Sequence, residues 1–279
     1  MGAGWAGCDP RIRGWVDEVC GALARELGGN HVGTYLHGSL ASGSFRPPKS
    51  DVDVLFVAED ALAPEARRRF ARTAVAVTRE RPIVGGLECS VVLRGELERC
   101  VHPMPFEAHF GEEHVQEILD DRIDWKATRT DGDLAAHVQA LCEFGIPLAG
   151  PPVDAVFQPP AKSDFLDSIR ADSDWIVEDE NILESPYYGV LNLARVLWVL
   201  EGVSERLVPS KDEAGEWLLG ETPEEHRPVL RMALDAYRDG SPVRPEDRRS
   251  GGRRWPRGPL LRFRDWARER LEAAEEPGW

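Results

Sequence analysis

Between residues 11 and 28 the chain reads RIRGWVDEVCGALARELG. Ile12, Trp15, Val16, Val19, Leu23 and Leu27 recur at the spacing of one helix face before Gly28 and Gly29 break the run. The period then shortens. HVGTYLHG, DVDVLFVA and LECSVVLR are short runs rich in β-branched and apolar residues, each bounded by turn residues, and they predict three strands. Between the second and third, APEARRRFARTAVAVTRERP returns to a helical pattern that starts near Pro64 and stops before Pro82. Helix, strand, strand, helix, strand is an α/β (α+β) order built on a small mixed sheet.

Farther on, DLAAHVQALCEFGIPLAGPP predicts a helix from Asp133 to Gly145, followed by a Pro-rich connection through about Pro160. Beyond this connection the strand signals fade. Ser163 is placed to cap a helix beginning DFLDSIRADSDWIV, and YYGVLNLARVLWVLEG is apolar enough for the centre of a bundle. Ser210 to Glu213 and Thr222 to Glu225 both fit the capping-box pattern, the second with Pro223 at the first helical position. Residues 240–257, GSPVRPEDRRSGGRRWPR, read as a loose solvated connection, basic enough to touch a phosphate, before a last helix LLRFRDWARERLEAAEE. The expectation is two domains, 1–157 around the mixed sheet and 158–279 as an all-α helical bundle.

Length agrees with two domains, since 279 residues with 42% hydrophobic residues can bury two cores. A formal charge of −15 repels a polyanion, which sets nucleic acid aside as a partner. The same field draws in a cationic small molecule, although net charge also serves solubility. No run of about eighteen apolar residues occurs. The N-terminus lacks the basic-then-apolar layout of a signal peptide, and Ala6 stands where a myristoylation signal after Gly2 has Ser or Thr. A soluble, cytoplasmic protein with no membrane partner is expected. Cys8, Cys20, Cys89, Cys100 and Cys142 are odd in number and free of CxxC spacing, which argues against a disulfide framework and a zinc site.

Chemistry concentrates in LHGSLASGSFRPPKSDVDVLFV. Asp51 and Asp53 lie at i and i+2 on a predicted strand, so both carboxylates leave one face while Val52 and Val54 enter the core. Two adjacent like charges repel, and a divalent cation removes that cost; Mg²⁺ takes one or two carboxylates together with phosphate oxygens. A DxD at an exposed strand end with no metal role is the alternative, and on these two residues alone the readings are balanced. Gly38 and Ser39 end the preceding strand where the chain can turn into a short helix, and Ser50 adds a hydroxyl, which together suit a triphosphate. Glu88 arrives on its own strand. If that strand lies beside the one carrying Asp51 and Asp53, three carboxylates converge, with Glu88 as the base that takes a proton from an attacking hydroxyl.

GSLASGSFRPPKSDVDVLFV, with its Gly-Ser pair, its Asp-x-Asp and the distal Glu88, resembles the signature of the nucleotidyltransferase superfamily. More narrowly, LECSVV, PFEAHFGE, DLAAHVQALCEFGIPLAGPP, SPYYGVLNLARVLW, SKDEAGEW and PVLRMALDAYRDG resemble the aminoglycoside adenylyltransferases that modify streptomycin and spectinomycin. The resemblance implies an N-terminal nucleotidyltransferase domain and a C-terminal helical, acceptor-binding domain. It implies Asp51 and Asp53 as Mg²⁺ ligands, Glu88 as catalytic base, and Gly38, Ser39 and Ser50 as phosphate-loop positions. It implies ATP contacts from Asp133, Lys211 and Tyr237; as plain structure these would be a helix cap, a surface lysine and a half-buried bundle residue. Lys211 stands out in a chain that uses Arg almost everywhere.

The acceptor side departs from that pattern. Glu113 replaces the tryptophan that follows Phe-Gly-Glu in drug-binding members, and Tyr187 and Tyr188 replace polar or charged residues at the start of the long apolar helix. With Glu184 and Trp175 they form a set of carboxylates and rings that suits a cationic, hydroxylated acceptor, or else part of the bundle core. The reading is an Mg²⁺-dependent adenylyltransferase using ATP, associated with antibiotic resistance. A different acceptor is the alternative, namely a natural-product intermediate, another antibiotic or a protein hydroxyl; a non-catalytic nucleotide-binding regulator is a further one.

Overall fold

Asp9 accepts the Arg11 N–H at 2.8 Å and Pro10 takes the first helical position, which starts α1 (Pro10–Leu27). The computed structural model describes residues 2–275, in two compact units that meet along the chain at Phe165 and Leu166. In the first unit α1 is followed by β1 (His31–His37), α2 (Gly38–Ser42), β2 (Val52–Ala58), α3 (Pro64–Val77), β3 (Leu87–Leu93) and α4 (Arg94–Arg99). Then come β4 (Met104–Phe106), β5 (Ala108–Phe110), α5 (Val115–Leu119), β6 (Arg129–Asp131), α6 (Leu134–Phe144) and β7 (Ile146–Ala149). The sheet has the order β5-β3-β2-β1-β7. β2 and β3 run parallel, which requires the crossover that α3 supplies, and the other neighbours are antiparallel. β4 and β6 form a separate ribbon.

Strand alternation gives the sheet two different faces. Val52, Val54, Phe56, Cys89 and Val91 join the core made with α1 and α3, where Val16, Leu23, Phe70 and Ala74 are buried. Tyr35, Leu55, Val57 and Val92 join a second core with Leu134, Val138 and Leu141 of α6. A nearly buried ion pair fastens α3 to the β4–β5 turn: Glu107 accepts from Arg67 at 2.8 Å and from the Leu62 N–H at 2.6 Å.

The helix from Pro64 stops before Pro82 as expected, ending at Val77, where Thr78 turns its hydroxyl back onto the Ala74 carbonyl at 2.7 Å. The strands differ more from expectation. Ile146–Ala149 is a strand, where a Pro-rich connection was expected; Pro147 is tolerated because β7 is an edge strand. β4, β5 and β6 have three residues each, too few for a period to register in the sequence.

The second unit is helical. It contains α7 (Lys162–Val177), which begins just before the division, α8 (Pro186–Leu200), α9 (Lys211–Glu221), α10 (Arg227–Arg238) and α11 (Arg257–Glu275). Val190, Leu193, Ala194 and Leu197 of α8 are buried with Leu218 of α9, Leu230 and Leu234 of α10 and Phe263 of α11. The Ser210–Glu213 capping box forms in both directions. Ser163 is not a cap: α7 starts one residue earlier, and the Ser163 hydroxyl donates to Asp164. Nor does Thr222 open a capping box. Its hydroxyl closes α9 on the Leu218 carbonyl at 2.6 Å, and α10 begins only at Arg227. The supposed loose connection holds a 3₁₀ helix, Pro245–Ser250, and Trp255 donates to the Ser250 carbonyl at 2.8 Å. Glu276 of the last predicted helix lies outside the described residues. Among the described residues the five cysteines are free, and no helix is long and apolar enough to cross a membrane.

Candidate active site

Register places the carboxylates. Asp53 on β2 is the Cα partner of Glu88 on parallel β3 and of His37 on antiparallel β1. Paired residues share a face, so His37, Asp53 and Glu88 lie on the α6 side of the sheet, opposite Val52, Val54 and Cys89. Asp51 precedes β2 by one residue, and its Oδ1 accepts the Gly86 N–H at 2.7 Å, which orients the carboxylate. Gly38 opens α2 at φ +63°, and a Cβ there would stand 1.8 Å from Asp53 Oδ2. Only a residue without a side chain lets the backbone come so close to that carboxylate. Ser39 follows in the same turn. Ser50 accepts the Arg46 N–H on its Oγ at 3.1 Å and so shapes the loop into β2.

α6 supplies the cover. Asp133 stands at its N-cap position, but the side chain makes no capping bond; the Asp133 N–H donates to Asp131 Oδ1 at 2.9 Å. One turn on, His137 brings its ring to 4.9 Å from that of His37. Burial pushes the Glu88 carboxyl above its ordinary range; His137 opposes this, and the charges of Asp51, Glu113 and Asp133 push it further. Glu88 therefore has the character of a base held near its proton. Burial, with a smaller contribution from His137, keeps His37 neutral, well below the usual imidazole range. Burial also brings His109 down to about 4, with His114 adding to the effect and Asp131 and Glu113 opposing it.

Asp51, Asp53 and Glu88 offer hard oxygen donors, the set that Mg²⁺ accepts, and the Gly38 approach leaves a cradle over Asp53 that a Cβ would fill. The residues present fit that ion. Sequence reasoning missed His37, which directly precedes Gly38, and His137, four residues beyond Asp133. It also missed Lys49, buried next to Ser50 although it is one of only four lysines in the chain. Rarity of lysine was a signal that would have found it.

In the helical unit four candidates come together. Lys211, at the first position of α9, sets its Nζ 4.9 Å from the Tyr188 ring and 5.9 Å from the Tyr237 ring. Tyr187 stacks on Tyr237 at 6.5 Å, and both are buried in the bundle. Tyr188 donates to Asp172 Oδ2 at 2.9 Å, and Asn192 also donates to that oxygen. Burial pushes Asp172 up, opposed by the Tyr188 bond and by the charges of Lys211 and Arg195. Asp172 and Asn192 were not singled out in the sequence, although Asp172 opens the acidic run that precedes α8. Trp175 and Glu184 take other places: Trp175 is 40% exposed and lines a groove with Arg268 and Leu271 of α11, and Glu184 is exposed before α8.

The family described as Aminoglycoside adenylyltransferase, C-terminal domain, matches residues 155–251. A spectinomycin 9-adenylyltransferase of Staphylococcus aureus is 28% identical over 215 residues, covering 76% of this chain and 80% of that protein. A spectinomycin 9-adenylyltransferase of Enterococcus faecalis is 23% identical over 232 residues, covering 80% and 86%. The crystal structure of spectinomycin adenyltransferase AAD(9) from Enterococcus faecialis, with ATP and spectinomycin, matches with a TM-score of 0.77 at 19% identity. The match covers 93% of this chain and 98% of that one, and what the two share is the fold.

Proposed function

We infer that this chain, an aminoglycoside adenylyltransferase-like protein, transfers AMP from ATP to a hydroxyl of a cationic, hydroxylated small molecule of the aminocyclitol kind, with release of pyrophosphate. The observation that carries the reading is the register that sets Asp53 beside Glu88 with Asp51 two residues away. In this reading residues 1–157 are the nucleotidyltransferase domain and 158–279 the helical acceptor-binding domain. Asp51 and Asp53 would hold Mg²⁺, which would supply positive charge to offset the negative charge that develops in the transfer. Gly38 keeps the backbone of α2 against Asp53, and Ser39 and Ser50 present hydroxyls to the phosphates. Glu88, with its raised proton affinity, takes the proton from the acceptor hydroxyl as that oxygen attacks the α-phosphorus and pyrophosphate leaves. Asp133, Lys211 and Tyr237 are the nucleotide contacts, with Lys211 as a mobile cation for phosphate. Glu113, Tyr187, Tyr188, Trp175 and Glu184 are the acceptor candidates; of these, Tyr188 has the best-defined polar setting, through Asp172.

Spectinomycin stands first among acceptors because the relatives named for it cover most of this chain. Glu113, where drug-binding members carry a tryptophan, favours a second reading in which the chemistry is kept and the acceptor changes. The test is pyrophosphate release with Mg²⁺ and ATP against spectinomycin, streptomycin and a panel of other hydroxylated cations, with mass spectrometry of each product. Gain of one AMP on spectinomycin supports the first reading, and transfer only to another compound supports the second. ATP binding with no pyrophosphate release across the panel would replace both with a non-catalytic nucleotide-binding role.

A further inference from the structure

Next to the carboxylates lies a set of donors of a different kind. His109 on β5, and Glu113 and His114 in the 3₁₀ turn that follows it, can each offer one ligand atom, and these atoms all lie within 4.8 Å of one another. We propose that His109, Glu113 and His114 bind a divalent transition-metal ion of the zinc class, at a site separate from the Asp51–Asp53 pair. Two imidazoles and one carboxylate are a donor set that zinc takes, whereas Mg²⁺ prefers oxygen alone. No cysteine is needed, so the argument from cysteine spacing does not reach this site.

The histidines are held in the manner of metal ligands. The Nδ1 of His109 pairs with the Ser90 hydroxyl at 2.9 Å, which leaves Nε2 as the coordinating nitrogen. His114 directs Nε2 to the Glu113 carboxylate at 3.6 Å. Its Nδ1 is buried without a hydrogen-bond partner, 3.5 Å from Glu117 Oε2, where a small ring rotation makes the outer carboxylate–histidine contact that metal sites use. The two rings stand edge to face at 5.3 Å. Gly111 completes the arrangement, because a Cβ there would stand 2.4 Å from Glu113 Oε1; its absence lets the carboxylate fold back beside the histidines. Donors around a tetrahedral ion are roughly 3.3 Å apart, so the pair at 3.6 Å is nearly in place and the exposed Glu113 side chain supplies the remaining movement. Three protein ligands leave a fourth position for water or for an oxygen of a bound molecule. Glu113 is close enough to Glu88 for its charge to act there, so an ion at this site would also lower the negative charge around the proposed base.

The experiment uses the full chain freed of metal and titrated with Co²⁺ as a visible probe, followed by competition with Zn²⁺. The expected result is one equivalent of Co²⁺ giving the intense absorption of a four- or five-coordinate ion, abolished by one equivalent of Zn²⁺. His109→Gln, His114→Gln and Glu113→Gln each weaken Zn²⁺ binding by at least about tenfold, while Asp51→Asn and Asp53→Asn leave the band unchanged. Circular dichroism of the metal-free variants checks folding; Glu113 is exposed, so its variant decides the question if a histidine variant fails to fold. No band in the folded wild-type chain overturns the proposal, as does a band that survives the His109, Glu113 and His114 changes or one that is lost in the aspartate variants. The readout involves no turnover, so its failure is distinct from failure of the transfer reaction.

Discussion

Asp53 and Glu88 sit side by side on two parallel strands, Cα partner to Cα partner, and the site on the sheet's α6 face is arranged around that pair. Glu88→Gln and Asp53→Asn should each lower kcat by about 10²- to 10⁴-fold with the fold intact. Burial raises the proton affinity of Glu88 above its ordinary value of 4.5. As the proposed base, Glu88 would work only when ionised, so the acid limb of kcat/KM for the wild-type chain should lie above pH 4.5, and activity should rise with pH through that limb. A pH profile with the limb below 4.5 would remove Glu88 from the role.

Gly38→Ala tests the approach to Asp53. The new Cβ would fall on the carboxylate at 1.8 Å and the backbone would hold φ +63°. Displacement of the carboxylate by about 1 Å should cost on the order of a hundredfold in rate, and the left-handed strain about 1 kcal/mol or more in stability. Steady-state kinetics and thermal melts of the same variant separate the two effects.

In the helical unit, Asp172 carries a buried carboxylate whose pKa is raised above 3.8. A group with a raised folded pKa contributes stability that is fully present below the unfolded value and is lost as pH rises through the folded value. Asp172→Asn keeps an acceptor for Tyr188 and removes the charge. The variant should therefore melt higher than wild type at pH 7, and its advantage should shrink to nothing below about pH 3.8. Thermal melts across that range measure it.

Glu107→Ala leaves the nearly buried Arg67 charge without its carboxylate, with the Trp125 and Ala127 carbonyls still accepting from it, and strips the Leu62 N–H of its acceptor. Loss of one member of a buried pair costs about 3 to 5 kcal/mol. Denaturant unfolding of the variant should show that loss, while Arg11→Ala, which breaks a pair whose arginine side chain is 82% exposed, should be nearly silent.

The strands of the sheet's centre were legible because seven-residue runs carry a period. Asp51, Asp53 and Glu88 could be assigned to faces by counting in twos, and the spacing of the apolar residues in α1 marked its buried side. β4 to β7 were not legible, since three or four residues show no period and Pro147 argued against a strand. His109 and His114 were hidden for the same reason: their meeting depends on a three-residue strand and the turn after it. Asp172 and Trp175 belong to one predicted helix, DFLDSIRADSDWIV, yet they part company on α7, because which face of a helix meets a partner is decided by the bundle and not by the helix.

The alternation that buries Val52, Val54 and Cys89 under α1 also acts as a ruler for chemistry. A slip of one residue between β2 and β3 would drive Asp51, Asp53 or Glu88 into the apolar core and turn valines out in their place. The energetic penalty on every misaligned pairing therefore falls on the same strands that carry these carboxylates. Folding proofreads the alignment of these carboxylates, and a chain that has packed this sheet has already set Asp53 beside Glu88.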